Sequence, residues 1–98
     1  MEREEVAVPE RRVTVGSRVG LHARPAAIFV QAAAKQPVKV TLGKEGKAAV
    51  DARSILSVLG MDIRGGEVVV LTAEGEGADQ ALDELAALVA RDLDAQDG

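Results

Sequence analysis

Runs with two-residue alternation and runs with helical spacing follow one another along the chain. Residues 12–15, RVTV, alternate polar and apolar positions as a half-buried strand does, between Pro9 and Gly16. Over residues 23–35 the spacing becomes helical. Ala26, Ile28, Phe29, Ala32 and Ala33 line one broad face there, in a segment rich in alanine, the strongest helix former. Pro37 closes that helix. Residues 38–42, VKVTL, alternate again, and GKEG at 43–46 reads as a turn into a second strand over 47–50, so a hairpin is predicted. Residues 51–59, DARSILSVL, return to helical spacing for a short helix that stops at Gly60. After Gly65 and Gly66 comes EVVVLTAE, 67–74, a β-branched run that predicts a well-buried strand. Over 78–93, Ala81, Leu82, Leu85, Leu88 and Val89 share a face while Asp79, Asp83, Glu84 and Arg91 fall elsewhere, which predicts a final amphipathic helix.

The predicted order is β-α-β-β-α-β-α, with no internal repeat. Four short strands and three helices in one small domain suggest an α+β layer, the helices covering one face of a largely antiparallel sheet. The folded domain is expected over 11–94, with a flexible N-terminal extension at 1–10 and a flexible tail at 95–98.

Composition narrows the chemistry. Only Phe29 is aromatic, so the core is built from Val, Leu, Ile and Ala, and no aromatic platform exists for stacking bases. The formal net charge of −4 opposes binding to a phosphate backbone, and no nucleic-acid role is expected. The chain has no cysteine, which removes disulfides, thiolate nucleophiles and Cys-ligated metals; with one histidine, no metal site is expected. The opening MEREEVAVPERR carries no apolar stretch long enough for a signal peptide or membrane insertion, so a cytoplasmic location is expected.

The single histidine, His22, stands where the first helical spacing begins. With His22 as N-cap, Ala23, Arg24 and Pro25 form the first turn, where backbone N–H groups have no intrahelical acceptor. Proline withholds a donor that would be unused there. The free N–H groups and the helix dipole favour an anion, and Arg24 adds a planar cation suited to phosphate oxygens. Neutral imidazole beside such a cradle is equipped to take up a phosphoryl group and release it again. A lone histidine at a helix start also serves as an ordinary cap or surface residue.

The string GLHARPA, 20–26, closely resembles the active-site motif of the HPr family, the histidine-containing phosphocarriers of the bacterial sugar phosphotransferase system. The similarity extends from about residue 11 to 93 and includes a second signature, RSILSVLG, 53–60. The resemblance implies an open-faced β-sandwich with four antiparallel strands and three helices on one side. It implies that His22 takes phosphate at Nδ1 from phosphorylated enzyme I and passes it to an enzyme IIA domain. Arg24 and the amides of Ala23 and Arg24 would hold the phosphate oxygens. Ser54 matches the serine that HPr kinase/phosphorylase modifies, although a serine before an amphipathic segment is also a good helix N-cap. Ala27, Ile55, Leu56 and Leu59 match partner-docking positions; the ordinary alternative for Ile55, Leu56 and Leu59 is that some are buried to seat the short helix. A transcription regulator is a further implied partner, and the carrier is expected to be a monomer without a cofactor.

Three positions depart from the family. Val19 replaces a frequent small polar residue, Ser57 a frequent glycine, and Asp62 another frequent glycine in a turn whose left-handed backbone Asp tolerates. Two other functions compete with sugar uptake. A regulatory phosphorelay, nitrogen-related or in carbon-catabolite control, would use the same histidine. A hydrolase would use Ser17, Ser54 or Ser57 with His22 as base, but the chain has no GxSxG elbow.

Overall fold

The β-branched run around Val69 becomes the strand on which the sheet is assembled. A computed structural model of the chain describes residues 8–91. Its elements are β1 (Glu10–Thr14), α1 (Ala23–Ala34), β2 (Val40–Lys44), β3 (Lys47–Asp51), α2 (Ile55–Gly60), β4 (Val68–Ala73) and α3 (Ala78–Ala90). All pairings are antiparallel, in the order β1-β4-β2-β3, so β4 and β2 are central. The element order is the one the spacing predicts. The three helices cover one face and the other stays open, an open-faced sandwich.

One-sided cover explains the burial along β4. Val69, Leu71 and Ala73 are buried toward the helices, whereas Val68 is exposed and Val70 and Thr72 are only half-buried on the open face. The well-buried strand expected from the β-branched run is therefore buried on one side only, because alternate side chains leave the sheet in opposite directions. On the open face the Thr41 and Thr72 hydroxyls hydrogen-bond across register partners of β2 and β4. From the other side, α1 buries Pro25, Ala26, Phe29 and Ala33, with Ile28 and Ala32 half-buried on its flanks. Phe29 is fully buried. The face of α3 runs through Ala78, Ala81, Leu82, Leu85 and Val89, with Leu88 at its margin.

Boundaries differ from the expectations for local reasons. β2 continues through Gly43 and Lys44, which lie opposite Val70 and Val69, so only Glu45 and Gly46 form the hairpin turn. An irregularity in the β2–β3 register falls between Leu42 and Lys44. The helix expected from residue 51 starts only at Ile55, since Asp51 pairs with Thr41 and its Oδ1 accepts the Arg53 N–H at 2.9 Å. That side chain to backbone bond competes with helix formation. β1 begins at Glu10, and the Pro9 carbonyl accepts the Ala73 N–H at 3.3 Å, so sheet pairing enters the stretch expected to be an extension. α3 ends at Ala90; residues 1–7 and 92–98, including the expected tail, lie outside the described residues.

α2 corrects one further expectation. None of Ile55, Leu56 and Leu59 is fully buried, Leu56 being the most exposed; Val58, with Ala52 and Met61 beside it, supplies the fully buried contacts. At about 100° per residue, Ile55, Leu59 and Leu56 fall within one arc and Val58 and Met61 outside it. No helix among the described residues is long and apolar enough to cross a membrane.

Candidate functional site

Two loops pressed together create the surface on which the histidine stands. Gly20 has φ 79°, and a Cβ there would lie 2.0 Å from the Ile63 carbonyl oxygen and 2.6 Å from the Arg64 Cα. Only glycine permits both the backbone conformation and the approach. The next residue, Leu21, is buried and donates its N–H to Ile63 O at 2.9 Å. This places His22 at the entrance of α1, extended at φ −130°, ψ 161°, with its carbonyl accepting the Ala26 N–H at 3.4 Å. His22 is the N-cap by position, but its side chain makes no capping hydrogen bond and is 37% exposed, so the imidazole remains available to a partner.

Ala23, the first residue of the helix, has φ 49°. A left-handed conformation is strained for a residue with a Cβ, and such strain concentrates at functional sites. Among the described residues the N–H groups of Ala23 and Arg24 have no backbone acceptor, and Pro25 offers no N–H. Ala23 and Arg24 are exposed, and the Arg24 guanidinium has no carboxylate partner among the described residues. Unpaired amides and an uncommitted cation therefore follow directly on the residue that carries the exposed ring.

On the opposing loop, Asp62 also adopts a left-handed conformation, φ 53°, as its turn position suggests. Its Oδ1 lies 3.4 Å from His22 Nε2 and its Oδ2 3.1 Å from an Arg64 terminal nitrogen. The Arg64 hydrogen bond, followed by the Arg64 charge, holds the Asp62 carboxyl below the usual range; partial burial opposes this, and the charges of His22 and Lys44 assist it. Lys44 ties the loop down, donating to Asp62 O at 3.0 Å and to Glu67 Oε1 at 2.9 Å. The Arg64 N–H donates to the same Glu67 oxygen at 2.9 Å, and this bond and Lys44 hold the Glu67 carboxyl low. The sequence identified Asp62 as an unusual turn residue but contained no sign that it meets His22.

α1 packs beside α2, which carries the second cluster. Ile55, Leu56 and Leu59 are exposed by 38%, 79% and 37%, and with half-buried Ala27 they supply apolar surface on the helices next to the histidine loop. Ser54 is the N-cap of α2: its Oγ accepts the Ser57 N–H at 3.2 Å and donates to Ser57 Oγ at 3.0 Å. Ser57, in place of a frequent glycine, thus engages the cap with its hydroxyl. Neither serine is hydrogen-bonded to His22, and Ser17 is 1% exposed, an arrangement unsuited to a hydrolytic nucleophile. Surface hollows lined by Val8 and Lys39, by Arg12 and Lys47, and by Pro37 and Gly77 lie away from His22, which occupies open surface suited to a protein partner.

The family model described as the PTS HPr component phosphorylation site matches residues 9–91. The chain belongs to the HPr family. It is 53% identical over 85 residues to the phosphocarrier protein HPr of Streptomyces coelicolor, covering 87% of this chain and 91% of that one. It is 40% identical over 84 residues to the HPr-like protein Crh of Bacillus subtilis, covering 86% and 98%. The crystal structure of HPr from Bacillus anthracis superposes with a TM-score of 0.80 at 40% identity, covering 86% of this chain and 99% of that one. The likeness spans the whole sheet and all three helices, so His22, α1 and α2 stand within an HPr fold rather than on an isolated motif.

Proposed function

We propose that this HPr-family chain is a phosphocarrier in which His22 Nδ1 accepts a phosphoryl group from phosphorylated enzyme I and passes it to a sugar-specific enzyme IIA domain. The observation that carries the reading is the half-exposed imidazole of His22, free of capping duty, beside the unpaired N–H groups of Ala23 and Arg24. In each transfer the Nδ1 lone pair forms the P–N bond as the donor's bond to phosphorus breaks, and the reverse displacement delivers the group onward. The protein side of the work is positioning and charge stabilisation. Arg24 and the two amides stabilise the phosphoryl oxygens, while Ala27, Ile55, Leu56 and Leu59 form an apolar docking patch used by both partners in turn. The carrier is consumed and regenerated rather than catalytic, requires no cofactor of its own, and acts as a cytoplasmic monomer.

The test is incubation with enzyme I and labelled phosphoenolpyruvate. Label should be acid-labile and absent from His22→Ala; acid-stable label, or label persisting in the variant, overturns the reading.

A second reading, a regulatory phosphorelay not coupled to sugar uptake, is favoured by Ser54 and by the likeness to Crh. HPr kinase/phosphorylase would modify Ser54, and a transcription regulator would read the result. Nearly two added charges beside the apolar patch would alter docking electrostatically. Incubating the chain with that kinase and ATP tests Ser54 itself, since Ser54 phosphate is acid-stable and survives His22→Ala, and transfer from phosphorylated His22 to a sugar-specific enzyme IIA domain separates the two readings.

A further inference from the structure

We propose that Asp62 is a positioning residue for His22, its carboxylate charge at ion-pair distance from Nε2 favouring the tautomer with the proton on Nε2, so that the Nδ1 lone pair is the one presented to phosphorus. The inference rests on the reading of His22 as the phosphoryl acceptor and adds a residue that biases the ring toward its reactive nitrogen. Asp62 Oδ1 is 3.4 Å from Nε2, while Oδ2 is held by Arg64 at 3.1 Å, so one carboxylate bridges a fixed cation and the ring. Lys44 secures the Asp62 carbonyl, and the Leu21 to Ile63 hydrogen bond fixes the histidine loop against the aspartate loop. Both partners are therefore anchored through their backbones, one residue from the Leu21–Ile63 bond on each strand of the contact. Arg18 and Arg24 on the histidine side and Lys44, Arg64 and Glu67 on the other are charged side chains of these loops and adjoining elements, but Asp62 is the group within ion-pair distance of the ring.

The consequence for transfer follows from the ring's proton. Phosphorylation at Nδ1 of the Nε2–H tautomer leaves both nitrogens substituted and the ring positively charged, beside an ionised carboxylate. When the P–N bond breaks, its electron pair returns to Nδ1, the proton stays on Nε2, and the leaving group is neutral imidazole. If that proton were lost first, the leaving group would be an imidazolate anion, a poorer one. By favouring the proton on Nε2, Asp62 both biases the ring toward Nδ1 and helps keep the phosphoryl group transferable.

Asp62→Gly is the decisive variant, because glycine adopts φ 53° without strain and the loop keeps its shape. Ring ¹⁵N chemical shifts of the unphosphorylated protein, read about two pH units above the ordinary histidine value, report the tautomer ratio directly. The minor Nδ1–H tautomer should rise about two- to threefold in the variant, the size expected for an exposed charged contact. Transfer from phosphorylated His22 should slow by about the same factor. Normal labelling of His22 with an unchanged tautomer ratio in Asp62→Gly would overturn the role of Asp62 and leave the phosphocarrier reading intact. Failure of the wild-type chain to take label at all would overturn the phosphocarrier reading itself.

Discussion

Replacing Gly20 by alanine probes the contact on which the histidine loop rests. The new Cβ would be placed 2.0 Å from Ile63 O and 2.6 Å from the Arg64 Cα, both backbone atoms that cannot rotate aside. Relief requires the loops to part by more than 1 Å, roughly the shortfall from ordinary van der Waals contact near 3.5 Å. That separation severs the Leu21 N–H to Ile63 O hydrogen bond, at a cost of about 1 kcal/mol. Alanine at φ 79° adds about 1 to 2 kcal/mol of conformational strain. The total is about 2 to 3 kcal/mol before any repacking of Leu21, a large part of the 5 to 15 kcal/mol that holds a typical domain together. Urea unfolding should show a midpoint lowered by about 1 to 3 M with an unchanged slope. Gly66→Ala is the control, since Gly66 has φ 88° but nothing within 4 Å of the added Cβ, so only the strain remains. If Gly20→Ala is no less stable than Gly66→Ala, the close approach of the two loops is refuted.

Ser54→Ala should lose about 1 kcal/mol through the vacated cap of α2, whereas Ser54→Asp, which still accepts the Ser57 N–H, should stay within about 0.5 kcal/mol of wild type in urea melts. Asp51 is held down from 3.8 to about 2, first by the Arg53 side-chain hydrogen bond and then by the Arg53 N–H, against partial burial. Its folded value lies below its unfolded one, so this stabilisation is present above about pH 4 and is lost as pH falls toward about 2. With side chains 32% and 49% exposed, the Asp51–Arg53 pair should contribute less than about 1 kcal/mol. Asp51→Asn should accordingly flatten the loss of stability across that acidic window, measured by urea unfolding at stepped pH; an unchanged slope would count against the pair. Leu56→Ala, at a side chain 79% exposed, should leave stability within about 0.5 kcal/mol while raising the concentration of partner needed for half-maximal transfer several-fold.

Much of this architecture was legible in neighbouring residues. Helical spacing around Phe29, alternation in RVTV and the β-branched run at Val69 each report which side of an element is apolar, and that is a local property of the chain. His22 before Pro25 likewise announced a helix entrance, because the unpaired donors of a first turn follow from helix geometry alone. The exposure of Ile55, Leu56 and Leu59 was not legible, since an amphipathic arc does not say which side meets the core; Val58 settles it by packing inward beneath α2. Nor was it legible which side of the β-branched run in β4 meets the helices, since those are contributed by distant segments. The clearest case is His22 and Asp62. No periodicity links them, and they meet because Gly20 lets one loop lie directly on the backbone of the other, a contact that exists only once the chain has folded.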